Sequence, residues 1–139
     1  MPLFDFGTIE ARYLWASALL GLVQLLLAIL FSVNARGLTW AAGARDEPIL
    51  PPMGTIGGRI ERAFKNFMET FPFFAALVLL ASGLGRHNPL TMWGAQLYFF
   101  GRVLYVPIYA FGIAYARTLV WSIALGGIVL MLLGIYPGS

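Results

Sequence analysis

Cysteine is absent from the 139 residues, and His87 is the only histidine. No disulfide framework, thiolate metal site or cysteine nucleophile is available to such a chain. A single imidazole is too few for a zinc or haem site, so no metal is expected. Charge is scarce as well. Charged residues make up 11% of the chain and hydrophobic residues 60%, where soluble domains have about 25% and about 45–50%. The mean hydropathy is +0.81. Too few polar side chains remain to clothe a water-facing surface, which excludes an ordinary soluble domain. Nine Lys+Arg and six Asp+Glu leave a net charge of +3. No basic tract is interleaved with aromatics, so nucleic acid is not an expected partner.

Long apolar runs take the place of that missing polarity. A membrane span needs about 20 predominantly apolar residues. The sequence predicts four, at about 10–34, 57–84, 90–114 and 118–136. From Tyr13 to Val33 only Ser17, Gln24 and Ser32 interrupt the first run. Its leading flank carries Asp5, Glu10 and Arg12 and no small-residue cleavage site follows, so it reads as a retained helix rather than a signal peptide. Asn34 to Gly58 is rich in glycine and proline (Pro48, Pro51, Pro52) and carries Arg36, Arg45, Asp46 and Glu47, which predicts a loop. The later connections are short, at Gly85 to Pro89 and around Arg117. Short connections imply antiparallel neighbours. The expected fold is an all-α, up-down-up-down bundle of four transmembrane helices in one domain, 1–139. Arg36, Arg45 and Arg117, with Arg59, Arg62 and Lys65 entering the second helix, outnumber Arg12 and Arg86 at the other side. The positive-inside rule then makes the first and third loops cytoplasmic and puts both termini across the membrane.

The second helix contains polar residues that its position does not explain. At about 100° per residue, Arg59, Arg62, Asn66 and Glu69 fall within an arc of roughly 80°. Glu61 and Lys65 form an i,i+4 pair to one side, and Phe67, Phe71, Phe73 and Phe74 mark the membrane boundary nearby. A charge at the bilayer centre costs at least about 2.5–3.5 kcal/mol, so the stripe should face protein or water. In the third helix Arg102, Tyr105 and Tyr109 form a second stripe at i, i+3, i+7. Arg102 lies too far from either end to snorkel and needs a buried partner. Glu69 is the expected partner, with Gln96 contributing. Tyr98, Tyr115 and Tyr136 read as interfacial belt residues. Pro72 and Pro107 should open a wedge between helices at the depth of the stripes. Gly101, Gly112, Gly126 and Gly127 read as close-packing contacts.

The run Arg59-x-x-Arg62-Ala63-x-x-Asn66-x-x-Glu69-x-x-Pro72-x-Phe74 resembles the signature of the MAPEG family, the membrane-associated proteins of eicosanoid and glutathione metabolism. Arg102-x-x-Tyr105-x-x-x-Tyr109, Arg117 at the start of the last helix, and Asn34-Ala35-Arg36 at the end of the first resemble the same family, so the likeness spans the chain. It implies a homotrimer of four-helix bundles with glutathione at the subunit interfaces, open to the cytoplasm. By position, Arg36, Arg62, Asn66, Glu69 and Tyr109 would hold glutathione, Arg59 and Tyr105 would assist, and Arg117 with Tyr109 would serve the thiolate. Phe64 departs from the family, standing where well-studied members often carry histidine or glutamine, and the turn before Arg117 differs in length and composition.

The residue types suit that ligand independently. Glutathione carries two carboxylates, an ammonium and a thiol, and arginines with a glutamate and a carboxamide are complementary. The expected activity is transfer of glutathione thiolate to lipophilic electrophiles, with hydroperoxide reduction as a relative of it. The alternative within the same fold is a non-catalytic lipid- or partner-binding membrane protein. A proton-coupled exporter would place an acid in the middle of its first span, where this chain has none.

Overall fold

The computed structural model describes residues 4–46 and 50–138. Five helices account for it: α1 (Ile9–Arg36), α2 (Leu38–Ala42), α3 (Gly54–Leu84), α4 (Pro89–Ala110) and α5 (Ala114–Ile135). No strand occurs among the described residues. Three helices, α1, α3 and α5, are long and apolar enough to cross a membrane.

The helix ends carry their own signals. Thr8 caps α1, its hydroxyl accepting from the Ala11 amide at 3.3 Å. Asn88 and Thr91 close a capping box on α4, and Pro89 opens that helix where its missing N–H costs nothing. Gly85 ends α3 in the left-handed region, at φ 64°. The predicted third run continued to residue 114, but α4 stops at Ala110 because Gly112 turns the chain at φ 76°. The predicted loop also contains more order than its glycine and proline suggest. α1 runs on through Arg36, α2 follows, and α3 begins at Gly54.

Apolar residues face outward. Leu26, Leu30, Phe73, Leu119 and Leu132 are all more than half exposed. Lipid tails are as apolar as leucine, so burial of such residues drives little helix association in a bilayer; small residues and hydrogen bonds do that work. The buried face of α1 accordingly consists of Glu10, Ser17, Gly21, Gln24 and Ala28. α4 and α5 touch through their backbones, since a Cβ on Gly94 or on Gly127 would lie 2.5 Å from the other's carbonyl oxygen. Gly101 packs similarly against Ala124. Gly126, by contrast, faces open space, and Gly112 serves the turn rather than a helix contact.

Between the helices, Phe74, Val78, Ala95, Tyr98, Ala124 and Met131 form the largest apolar cluster. Tyr98 is therefore a core residue and not a belt residue: it is fully buried, stacks on Phe74 at 4.1 Å and hydrogen bonds to Thr70 Oγ1 at 3.1 Å. Its position opposite a threonine hydroxyl satisfies the phenol inside the bundle. Tyr115 and Tyr136 are exposed, as belt residues are.

Two ends of the bundle differ in chemistry. At one, the starts of α1 and α4 meet the end of α5. Glu10 is 1% exposed and accepts from the Thr91 hydroxyl, with His87 Nδ1 at 3.3 Å, while Asn88 Nδ2 donates to the Gly134 carbonyl at 2.8 Å. At the other, the end of α4 meets the starts of α3 and α5, and arginines gather.

Candidate functional site

The arginine end is assembled by three helices. Arg59 and Arg62 lie one turn apart at the start of α3, Tyr109 near the end of α4, and Arg117 in the first turn of α5. Arg62 Nε donates to the Tyr109 hydroxyl at 3.0 Å. The Arg117 guanidinium lies over the same ring, 4.9 Å from its centroid. Arg59 Nη1 donates to the Ala110 carbonyl at 3.3 Å, at the carbonyl end of α4 where a cation is favoured. Its guanidinium rests against Gly112, where a Cβ would fall 2.6 Å from Nη1.

These residues line a cleft of about 200 Å³ together with Gly112, Ile113 and Ala114. Three guanidiniums and a phenol face it, and no carboxylate is part of its lining. A second cleft of about 210 Å³ is lined by Asn66, Tyr105, Arg117, Thr118 and Trp121. Arg117 belongs to both. The two clefts thus share the Arg117 side chain, one of them strongly cationic and the other mixed aromatic and polar.

Behind the site sits Arg102, fully buried. The sequence assigned it Glu69 as partner; the structure assigns it Asn66. Arg102 Nη1 donates to Asn66 Oδ1 at 2.7 Å and Nη2 to the Ala63 carbonyl at 3.5 Å. The ring of Tyr105 lies 4.2 Å from its guanidinium carbon and that of Phe67 5.6 Å. The physical reason is register. α4 meets α3 with Arg102 level with Ala63 and Asn66, one turn short of hydrogen-bond reach of Glu69, so the carboxylate acts on it only through space while the rings of Tyr105 and Phe67 cover its guanidinium. Gln96 does not contribute, because its amide folds back onto the Met92 carbonyl at 3.3 Å. The amide of Asn66 is thereby fixed from behind, and Tyr105 stacks on Tyr109 at 5.5 Å.

Of the residues singled out from sequence, the structure brings Arg59, Arg62, Asn66, Tyr105, Tyr109 and Arg117 to the two clefts. Arg36 and Glu69 line neither. Arg36 donates to the Pro51 carbonyl at 3.2 Å and stacks on Trp40 at 4.9 Å, as Arg45 does at 5.0 Å. Glu69 is exposed and makes no hydrogen bond or ion pair among the described residues, though its carboxylate lies near enough to act electrostatically on Arg102 and Tyr105. The Glu61–Lys65 pair is at the surface with 4.0 Å between charges, and contributes little. Two residues that sequence reasoning missed, Thr118 and Trp121, line the second cleft. Trp121 follows Arg117 at i+4, about 40° around the helix, and that spacing carries a signal; Thr118, at i+1, has none.

Comparison with known proteins agrees with this architecture. No curated protein matches the chain. The sequence model of the MAPEG family matches residues 13–136, nearly the whole length. With membrane-spanning helices in place and that match across them, the chain is an integral membrane protein and belongs to the MAPEG family.

Proposed function

We propose that the chain binds glutathione at the arginine end and transfers its thiolate to lipophilic electrophiles. The observation that carries this reading is the cleft faced by Arg59, Arg62, Arg117 and the Tyr109 hydroxyl with no carboxylate in its lining. Such a cleft holds an excess of positive charge that only an anionic ligand neutralises. Glutathione supplies two carboxylates, and guanidiniums bind carboxylates through paired N–H donors.

The thiol chemistry follows from Arg117, which lines both clefts. A free thiol has a pKa of about 8.5. Lowering it by about two units requires about 2.7 kcal/mol of preference for the thiolate. The half-buried Arg117 guanidinium, with the Tyr109 phenol beside it, is the group that would supply that preference. In the reaction the thiol proton leaves to solvent. The thiolate sulfur then forms a bond to the electrophilic carbon, and the leaving group departs with its electron pair. With a hydroperoxide the sulfur attacks oxygen instead, releasing an alcohol, and a second glutathione reduces the resulting sulfenic acid to the disulfide. The second cleft, with Trp121 and Tyr105 beside Arg117, accommodates the electrophile.

The remaining pieces are assembly and topology. α4 is read as a fourth span despite its arginine, because Arg102 is fully enclosed by protein. The arginine end is read as cytoplasmic. Arg36 and Glu69 lie outside the clefts of one chain, and a homotrimer in which a neighbouring subunit completes the site gives both a role. The test is ultraviolet thiolate absorbance when glutathione is added to the purified protein near neutral pH. Wild type is expected to produce the thiolate band and Arg117→Ala to lose it. No band in wild type, or an undiminished band in Arg117→Ala, overturns the reading.

A further inference from the structure

At the opposite end, the first turns of α1 and the facing turns of α4 leave a crevice of about 660 Å³, within the range of about 300–1,000 Å³ common for small-molecule sites. Phe6, Tyr13, Trp15 and Ala16 give it mainly apolar and aromatic walls, and only Arg12 and Gln96 interrupt them. The Arg12 charge is uncompensated. Its Nε donates to the Phe6 carbonyl at 3.4 Å, and no carboxylate lies within ion-pair distance among the described residues. Both nearby acids are engaged elsewhere: Asp5 accepts from the Gly7 amide at 2.8 Å, and Glu10 points inward to Thr91 and His87.

Depth orders the two polar groups. Glu10 and Thr91 are in contact, and α1 and α4 both run inward from there. Arg12 is two residues past that level and Gln96 five, so the backbone at Gln96 lies about 4–5 Å deeper than at Arg12 at about 1.5 Å per residue, and Arg12 Nε turns outward to the Phe6 carbonyl while the Gln96 amide stays within a turn, at Met92. One amide N–H of Gln96 serves the Met92 carbonyl and the other remains for a ligand. Tryptophan and arginine at this level are typical of the headgroup boundary.

We infer that this crevice holds one anionic phospholipid from the surrounding leaflet. The phosphate pairs with Arg12, an ester carbonyl just below accepts from Gln96, and an acyl chain lies along Tyr13 and Ala16. The order of phosphate, ester and chain in a phospholipid matches the order of guanidinium, amide and apolar wall. A free fatty acid has a head for Arg12 but no ester at the depth of Gln96. The lining offers no carboxylate to a zwitterionic headgroup's ammonium, which favours a lipid of net negative charge.

The experiment uses full-length protein, delipidated in neutral detergent, with thermal unfolding and native mass spectrometry as readouts. Phosphatidylglycerol is expected to raise the unfolding midpoint and to remain bound at one molecule per chain, with phosphatidylcholine and palmitate giving smaller shifts. Arg12→Gln should abolish the preference for phosphatidylglycerol, Arg12→Lys should retain most of it, and Ala16→Phe should reduce retention of every lipid. Equal shifts from phosphatidylcholine and phosphatidylglycerol, a palmitate shift as large, or an unchanged preference in Arg12→Gln overturn the proposal. Because the chain has no cysteine, Ala16→Cys adds a further check: efficient disulfide-linked dimers would show that a second copy covers the crevice, which also overturns it.

Discussion

Glu10 and Arg117 sit at opposite ends of one bundle, and their surroundings differ in a way that separates structure from function. Around Glu10, inside the bundle, the polar groups satisfy one another: Glu10 with Thr91 and His87, Asn88 with the Gly134 carbonyl. At the arginine end three guanidiniums share one phenol and one carbonyl. A balanced cluster holds helices together, whereas an unbalanced one holds energy in reserve for a ligand. Buried polar groups that close on themselves rigidify a core. The lesson is that in a membrane bundle the sum of charges around a group says more about its role than its depth.

The sharpest way to break the comparison is charge reversal. Arg62→Glu should abolish glutathione binding, a loss of more than about 100-fold read by calorimetric titration, since it breaks the Tyr109 bond and repels a carboxylate ligand. Retained affinity would mean the cationic cleft is not the binding site. Glu10→Ala probes the other end. Leaving Thr91 and His87 without their partner should cost about 1–3 kcal/mol, seen as a lower unfolding temperature, with glutathione affinity unchanged per folded molecule. A weaker affinity at unchanged stability would erase the distinction between the ends. Asn66→Leu lies between the two. It strips the 2.7 Å bond from buried Arg102 and one wall from the second cleft, so stability should fall by about 1–2 kcal/mol and the KM for electrophile should rise. Gly112→Ala should act through the turn. A side chain at φ 76° is strained by about 1 kcal/mol and displaces Arg59, so glutathione affinity should fall about fivefold and the unfolding temperature by a few degrees. The smallest effect is ionic. Raising salt from 0.1 to 0.5 M should weaken glutathione binding a few-fold through screening and leave the unfolding temperature nearly constant.

Much of this arrangement is readable in the chain because it follows helical periodicity. Arg59, Arg62 and Asn66 on α3, and Arg102, Tyr105 and Tyr109 on α4, face the bundle as their spacing requires. The partner of Arg102 is not readable in the same way. Choosing between Asn66 and Glu69 depends on how far α4 slides along α3, and one helical turn of about 5.4 Å changes the answer. Glu10 was legible but easily passed over. It looks like the edge of a span, yet Glu10, Ser17 and Gln24 recur every seven residues, and that stripe is the buried face of α1. In a membrane helix the polar residues mark the inside, the reverse of the soluble pattern. Short α2 gave no periodic signal at all, being five residues long.

The backbone contact between Gly94 and Gly127 has a mechanical corollary. Tyr105, Tyr109 and Arg117 all belong to the α4–α5 hairpin, and two helices seated backbone against backbone have no slack in which to slide. The phenols and the Arg117 guanidinium are thus expected to move together. Widening for the proposed electrophile would then fall to α3, which presents Arg59, Arg62 and Asn66 and carries Pro72 further along its length.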